Sequence, residues 1–303
     1  MQSIYAMLQN GSDSLDKEEK FLFQSIENIR DLYLIMVSAL VELRNAEEEY
    51  LEKISKKHLA TPEERNANRK FVNNAVLKLL EESNALSVAL EDRKINNWKL
   101  NDDYILILLD AVKENALYQK YMETRESNFE EDRDFIAALF EEVIAPNEKL
   151  YEYLEDYKLT WVDDIPVVNT IISKQLRAIT QQGRDAYYVP KLYKDLDDKD
   201  FVRDLFRKVV LNNNELAKEF MDKTPNWDAE RIAEIDSIIL KMAICEFLKF
   251  PSIPVKVTIN EYLEIAKEYS TPKSSIFING ILDNLVKDYQ AANKMLKTGR
   301  GLM

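Results

Sequence analysis

Apolar residues recur at helical spacing along most of the chain, and the clearest run lies between residues 22 and 43. Spacings of four and three residues alternate there, which is the seam of an amphipathic helix of heptad type. The pattern predicts one long helix that turns acidic at Glu47–Glu49 and continues to about His58. Its apolar positions are Leu22, Ile26, Ile29, Tyr33, Met36, Leu40 and Leu43.

Start and stop signals predict shorter helices on both sides of this run. Residues 1–10 look like the end of a helix, with Asn10-Gly11 as its stop. Thr61-Pro62-Glu63-Glu64 is a start signal, because it offers an N-cap threonine, a proline in the first turn and two acids. A helix from there to about Leu90 is predicted, and another after Asp102-Asp103.

The C-terminal third is predicted to form three helices. The first covers residues 226–249, and Pro251 and Pro254 end it because proline cannot continue a helix. The second is expected over residues 258–269 and the third over residues 274–285.

Local signals give the starts of the last two helices. Thr258 and Glu261 have the spacing of a capping box. Ser274 or Ser275 is expected to cap the final helix. Gly280 lies inside that helix, and a close crossing by a neighbouring helix would explain a glycine there.

A possible internal repeat links two parts of the chain. Residues 134–161 align without gaps onto residues 200–227 at an offset of 66, with nine identities in 28 positions. Residues 134–179 are therefore predicted to be a degenerate copy of residues 200–245, although helical periodicity alone also matches apolar positions. The identical pairs are Asp134/Asp200, Phe135/Phe201, Leu139/Leu205, Phe140/Phe206, Val143/Val209, Asn147/Asn213, Leu150/Leu216, Asp156/Asp222 and Trp161/Trp227.

Composition supports an all-α fold and excludes several chemistries. The 303 residues include only 5 Gly and 8 Pro, and no cluster of glycines precedes a helix. A phosphate-cradling loop or dinucleotide fingerprint is therefore excluded. One cysteine (Cys245, expected in the core) and one histidine (His58, expected at the surface) cannot supply a disulfide framework, a zinc site or imidazole catalysis. We expect no cofactor, no metal and no enzyme activity.

Charge and hydropathy limit the possible partners. The net charge is −13, and it is uneven: residues 1–196 hold 25 basic and 37 acidic side chains, and residues 197–303 hold 16 and 17. Any basic surface for nucleic acid must therefore be local and C-terminal. No apolar run is long enough to span a membrane, the N-terminus is neither a signal nor a transit peptide, and the absence of disulfides suits a reducing cytoplasm.

Residues 197–289 resemble the bacterial transcription antitermination factor NusB family. The resemblance rests on DFVRDLF near residue 200, on IPVKVTINEYLEIAK after residue 252 and on FINGIL from Phe277, with QSIY at residues 2–5 similar to the end of the family's first helix. It implies an all-helical fold of two three-helix subdomains. Residues 1–15 would be the end of the first helix, 16–196 a helical insertion and 290–303 a flexible basic tail.

The resemblance also implies a function. Members of the family bind the boxA element of nascent ribosomal RNA transcripts together with NusE, a ribosomal protein, and modify elongation by RNA polymerase. Catalysis is not involved.

Candidate binding residues follow from the same resemblance. Lysines supply charge, aromatic rings can stack on unpaired bases, and a helix N-terminus offers amides to phosphate. From the residues alone, the rings of Tyr269 and Phe277 could equally close the core, and Lys273 could be a solvated surface residue. Tyr5 and Asp236 match the positions for NusE, an aromatic and an acid suited to a basic protein. The positions that match the RNA surface are Lys267, Tyr269, Lys273, Ser274, Ser275 and Phe277.

Two alternatives stay open at this stage. The family's arginine-rich leader is expected before Gln2, and the chain has only Met1 there. A protein-only helical adaptor with weakened RNA binding is therefore one alternative. The other is the remnant of an RNA cytosine methyltransferase, which would need a glycine-rich cofactor domain and a catalytic cysteine.

Overall fold

Helices are the regular structure throughout the part of the chain that the structure describes. This computed structural model describes residues 1–183, 188–221 and 232–302, and within these ranges there are sixteen α-helices and no β-strand. The all-α prediction is confirmed. No described helix is long and apolar enough to cross a membrane. The helices are α1 (Gln2–Gln9), α2 (Leu15–Ser55), α3 (Pro62–Arg65), α4 (Ala75–Glu81), α5 (Asn84–Asp92), α6 (Asn97–Leu100), α7 (Asp102–Glu114), α8 (Ala116–Tyr121), α9 (Phe129–Leu139), α10 (Glu148–Tyr157), α11 (Ile165–Ala178), α12 (Leu196–Leu211), α13 (Asn213–Met221), α14 (Glu234–Lys249), α15 (Val255–Tyr269) and α16 (Ser274–Ala291).

The chain divides into two compact units. Unit 1 consists of residues Met1–Phe23 and Tyr193–Met303, and unit 2 consists of Gln24–Leu192. Each unit has its own hydrophobic core. The interpretation of residues 16–196 as an insertion into a NusB-like domain stays a prediction.

Helix α2 confirms the long helix predicted from the heptad pattern. It runs for 41 residues, and all nine residues from Leu32 to Leu40 are buried. A helix that is buried all round lies at the centre of a core. The middle of α2, from Leu32 to Leu40, is therefore the central element of unit 2.

The prediction of a single helix from Thr61 to about Leu90 is wrong, because α3, α4 and α5 divide this range into three helices. The capping box of Thr61 and Glu64 is present, but α3 ends at Arg65. Residues 66–74 form a loop because tertiary hydrogen bonds hold it open. The Asn68 side-chain amide donates to the carbonyls of Met122 and Thr124 at 2.8 and 2.9 Å.

Buried Lys70 fixes the same loop. Its ammonium lies 2.7 Å from Thr124 Oγ1 and 2.6 Å from Glu131 Oε1, and 4.1 Å from the ring centroid of Tyr121. A buried charge is tolerated only when it is paired and hydrogen-bonded. Two segments distant in the sequence, 66–74 and 121–131, are joined in this way.

Unit 1 is built around α14. This helix packs against α12, α13, α15 and α16, and α1 packs against α12 and α14. Ten of its residues are buried, on every side of the helix. The prediction of one helix over residues 226–249 is wrong at its start, because Ile232 and Ala233 are not helical and α14 begins at Glu234. Residues 222–231, which include Asp222 and Trp227 of the repeat, are outside the described residues.

The predicted caps of α15 and α16 are wrong, because other hydrogen bonds use the hydroxyl groups of Thr258 and Ser274. Helix α15 begins at Val255, three residues before Thr258. Thr258 is fully buried and its hydroxyl donates to Glu246 Oε1 of α14 at 2.6 Å. Helix α16 begins at Ser274, with Lys273 at its N-cap position and no side-chain cap.

The explanation expected for Gly280 is also wrong. A Cβ atom added there meets nothing within 4 Å, so no neighbouring helix needs the space. Gly301 is different, because a Cβ atom there would lie 2.0 Å from the carbonyl oxygen of Pro251. The close backbone contact that requires a glycine is therefore at Gly301 in the C-terminal segment and not at Gly280 in α16.

The C-terminal segment, residues 292–302, packs against the loop between α14 and α15. The Thr298 amide donates to Pro251 O at 2.9 Å, and the Lys297 ammonium lies 3.1 Å from Phe250 O. A short 3₁₀ turn follows at Gly299–Leu302. The predicted flexible tail therefore has defined contacts within unit 1.

The two segments of the predicted repeat have similar helical outlines. In the first, α9 leads through a π-helical turn at Phe140–Ile144 into α10, and in the second α12 leads directly into α13. The shared asparagines differ, because Asn147 caps α10 by accepting from Leu150 N, whereas Asn213 Oδ1 is buried without a hydrogen bond among the described residues. The duplication stays a prediction.

Candidate nucleic-acid interface

The predicted RNA-side residues lie at the end of α15 and in the first turn of α16. Lys273, Ser274, Ser275 and Phe277 are brought together by the turn of α16. Lys267 lies in the last turn of α15, where its ammonium pairs with Glu264 at 2.6 Å. Two of these residues, Lys267 and Lys273, are exposed.

Lys273 is the cation best placed to meet a ligand at this end of α16. It occupies the N-cap position and forms no ion pair among the residues that the structure describes. Lys267, in contrast, already has Glu264 as a partner. An exposed, unneutralised ammonium beside a helix N-terminus adds to the positive end of the helix dipole.

The backbone at the start of α16 has amides available. The Ser274 amide donates to Thr271 O at 2.9 Å and the Phe277 amide to Lys273 O at 3.1 Å. Between them, the amides of Ser275 and Ile276 have no acceptor within the described ranges. Free first-turn amides bind phosphate or carboxylate oxygens.

The two predicted aromatic residues are half-buried. Phe277 packs against the core of unit 1, and Tyr269 ends α15. The Phe277 ring therefore has a packed part and a solvent-facing part, and the Tyr269 side chain is partly covered.

Ser274 is buried and belongs to a chain of hydroxyl groups. Ser274 Oγ lies 2.9 Å from Ser270 Oγ and 2.9 Å from Thr271 Oγ1, and Ser270 Oγ lies 2.6 Å from Asp236 Oδ1. An ionised carboxylate only accepts, and a serine hydroxyl has one hydrogen. Ser270 therefore donates to Asp236, and Ser274 can donate in turn to Ser270.

The two predicted NusE-side residues lie on neighbouring helices. Tyr5 is on α1 and is 39% exposed. Asp236 is in the first turn of α14 and is buried, with Ser270 as its hydrogen-bond partner. Because α1 packs against α14, both residues belong to one region of unit 1.

Sequence reasoning missed Ser270 and Thr271. They follow α15 directly and connect Asp236 to the start of α16. Hydroxyl side chains after a helix commonly hydrogen-bond locally, so the Ser-Thr-Pro sequence was a usable signal. What it could not show was the partner on α14, 34 residues away in the chain.

No catalytic constellation is visible in the part of the chain that the structure describes. No group of three or more His, Cys, Asp and Glu residues there could hold a metal ion. Burial raises the pKa of the Cys245 thiol to about 12, so it is a neutral core residue and not a nucleophile.

Fold and site together describe an all-helical protein in which an exposed lysine and free amides meet at one helix N-terminus. Comparison with known proteins assigns this class to a family. Residues 173–287 match the NusB family. The chain is 40% identical over 132 residues to the transcription antitermination protein NusB of Salinibacter ruber, an alignment that covers 43% of this chain and 82% of that protein.

Two further relatives carry the same name. The protein from Chloroherpeton thalassium is 35% identical over 147 residues, which cover 44% of this chain and 70% of that protein. The protein from Clostridium kluyveri is 44% identical over 91 residues, which cover 30% of this chain and 58% of that protein. No solved structure matches the chain significantly. The chain belongs to the NusB family.

Proposed function

We propose that this chain is a transcription antitermination factor. It binds boxA-type RNA of nascent ribosomal RNA transcripts together with the ribosomal protein NusE, and so modifies elongation by RNA polymerase. It acts in the cytoplasm, where bacterial transcripts are made. The relatives are named as antitermination proteins, which are not enzymes, and we assign no catalytic activity to this chain.

One observation carries the RNA part of the proposal. The start of α16 presents the exposed ammonium of Lys273 next to the free amides of Ser275 and Ile276. A combination of positive charge and backbone donors favours phosphate binding. The half-buried rings of Tyr269 and Phe277 lie on either side in the sequence and can stack on unpaired bases.

The first experiment measures the fluorescence anisotropy of a labelled boxA RNA titrated with the full chain, with and without NusE. We expect binding that weakens as salt rises, because phosphate contacts release counterions. We also expect tighter binding with NusE present. A chain that binds boxA RNA equally well with and without NusE would contradict the antitermination assignment.

Charge reversal at Lys273 tests the location of the RNA surface. Lys273→Glu should weaken boxA binding by about tenfold and reduce its salt dependence, because a phosphate contact is lost. Lys287→Glu is the matched control, since Lys287 is an exposed lysine of the same helix, more than three turns away. Circular dichroism should show equal helix content in both variants.

The results also separate the proposal from the adaptor alternative. Equal boxA affinity for the two variants would mean that the RNA surface lies elsewhere. Binding to NusE without any binding to boxA RNA would favour a protein-only adaptor, an alternative supported by the acidic excess of residues 1–196, 37 acids against 25 bases.

A further inference from the structure

Two neighbouring helices of unit 2 expose large apolar side chains. On α7, Leu106 is 53% and Ile107 42% exposed, and on α10, Tyr151 is 37% exposed. The two helices pack side by side. Apolar side chains grouped on adjacent elements mark an interaction surface more often than single exposed residues do.

A notch at the beginning of α10 belongs to the same face. It has a volume of about 280 Å³ and is lined by Ala145, Pro146, Glu148, Tyr151 and Glu152. Pro146 and Tyr151 give it apolar walls, and the two glutamates lie at its edge. An apolar side chain of a partner could enter it while a cation next to that side chain meets a carboxylate.

The charge of these two helices is strongly one-sided. Together α7 and α10 contain eight acidic residues and two lysines. Both lysines already have partners within unit 2, since Lys113 pairs with Glu47 and Lys149 with Glu152. The carboxylates at Asp103, Asp110 and Asp156 are exposed. The face therefore presents negative charge around apolar side chains.

We propose that the outward faces of α7 and α10 are a docking surface for a basic, lysine- or arginine-rich protein segment that also has apolar side chains. Charge complementarity selects this occupant. Nucleic acid is disfavoured because its phosphates would meet carboxylates. A second copy of the chain is disfavoured too, because each copy has a net charge of −13. This surface is additional to the boxA and NusE surfaces of unit 1.

The acidity of unit 2 supports the same conclusion at larger scale. Residues 24–192 contain 22 basic and 32 acidic side chains, whereas the remainder of the chain contains 19 and 22. The long-range field of unit 2 therefore attracts cations and increases the association rate of a basic partner. The apolar side chains of α7 and α10 determine where on the unit the partner is held.

The probe is a fluorescein-labelled synthetic peptide of about 18 residues with lysines and leucines at helical spacing. A second peptide has serine in place of every leucine. Each is titrated with the full chain, and anisotropy gives the dissociation constant at two salt concentrations. We expect the leucine-containing peptide to bind at least about tenfold more tightly than the serine peptide, because only the former fills apolar sites.

Two variants of the face are compared with a control. The first, Glu148→Gln/Glu152→Gln/Asp156→Asn, removes charge from α10. The second, Ile107→Ser/Tyr151→Ser, removes apolar contact. Each variant should weaken binding of the leucine-containing peptide by about tenfold. The first loses three carboxylates that attract the lysines of the peptide, and the second loses two apolar side chains that contact its leucines. The control Glu82→Gln/Glu91→Gln/Asp92→Asn removes three exposed acids elsewhere in unit 2 and should weaken it by less than about twofold.

Several results would overturn the proposal. If the control weakens peptide binding as much as the charge variant, attraction is general and no docking surface exists. If the serine peptide binds as well as the leucine peptide, the apolar residues have no role. Loss of boxA RNA binding in the face variants would assign the surface to RNA. Self-association that the face variants abolish, measured by sedimentation, would assign it to a second copy.

Discussion

Asp164 is a half-buried carboxyl group next to a second acid, Asp163. Burial raises the pKa of Asp164 to about 6, and the charge of Asp163 adds to the shift. The side chain does not cap α11, because it makes no hydrogen bond to the first turn of that helix. Its charged form is therefore desolvated without compensation, so Asp164 destabilises unit 2 when it is ionised.

The sign of this effect gives a pH prediction. The folded chain binds the proton more tightly than the unfolded chain, so this group's contribution to stability falls as pH rises from about 4 to about 6. Asp164→Asn should stabilise the chain by about 1 kcal/mol at pH 7.5, after allowance for partial solvent exposure, and by nothing measurable at pH 4. Urea unfolding followed by tryptophan fluorescence measures this, since Trp98 and Trp161 both lie in unit 2.

The control for this prediction is Asp92→Asn, which removes an exposed carboxylate of the same unit. It reports the effect of reducing the negative charge of unit 2 without relieving burial. If Asp92→Asn and Asp164→Asn stabilise the chain equally at pH 7.5, desolvation of Asp164 is not the cause.

Individual residues also show where sequence reasoning reached its limit. The Thr61 capping box was predictable, because both of its partners lie within four residues. Thr258 was not, because its hydroxyl donates to Glu246 on another helix and the residue lies inside α15, three positions after its start. Ser274 fails for a different reason, because its hydroxyl is used by Ser270 and Thr271 in the preceding turn. Local motifs fail where a tertiary partner competes for the same hydroxyl.

At the scale of elements, periodicity predicted α2 and the three C-terminal helices, because each has enough apolar residues to define a face. The error in the 61–90 region has a physical reason. The loop 66–74 is stabilised by Asn68 and Lys70 through contacts with residues 122–131, which no local pattern records.

In the candidate site, the positions of Lys273 and Phe277 followed from motif matching, whereas the connection from Ser270 to Asp236 needed the structure.

The C-terminal segment gives an element-scale prediction. Gly301→Ala should displace residues 298–302 from the Pro251 loop, because the new Cβ would lie 2.0 Å from Pro251 O. Hydrogen–deuterium exchange should show faster exchange at the Thr298 amide, which donates to the same carbonyl. The melting temperature should fall by a few degrees, since about 1–2 kcal/mol of local contacts is lost.

Gly280→Ala is the matched control. It introduces the same methyl group at a position with nothing within 4 Å, in the interior of α16. This substitution should stabilise the chain by up to about 1 kcal/mol, because alanine favours the helix over glycine. Unchanged exchange at Thr298 in Gly301→Ala would show that the segment can shift without losing its contacts.

At the scale of the whole molecule, most of the family match and most of the acidic excess lie in different units, since only residues 173–192 of the matched range 173–287 belong to unit 2. The family-specific residues, from Asp236 to Phe277, lie in unit 1, and most of the acidic excess lies in unit 2. Within unit 1, the Phe23 ring is 5.6 Å from the ammonium of Lys199 and 5.4 Å from the guanidinium of Arg203. The chain therefore leaves unit 1 close to the place where it returns.

From this proximity we expect that a short flexible linker can replace unit 2. A chain in which residues 24–192 are replaced in this way should remain helical and bind boxA RNA and NusE within about twofold of the full chain, since all of the proposed RNA-side and NusE-side residues belong to unit 1. The same chain should lose binding of the leucine-containing basic peptide. Circular dichroism and anisotropy provide the readouts. Loss of helical structure would show instead that unit 1 depends on unit 2 for folding.

The chain of hydroxyl groups from Asp236 through Ser270 to Ser274 has a thermodynamic consequence. A ligand that draws the Asp236 carboxylate away from Ser270 changes the hydrogen bonds available at the first residue of α16. Thermodynamic linkage makes this effect reciprocal. If a ligand at Asp236 changes the affinity of a second ligand for α16 by some factor, the ligand at α16 changes the affinity of the first ligand for Asp236 by the same factor. Removing a single hydroxyl, Ser270→Ala, should reduce this coupling free energy without removing either binding surface.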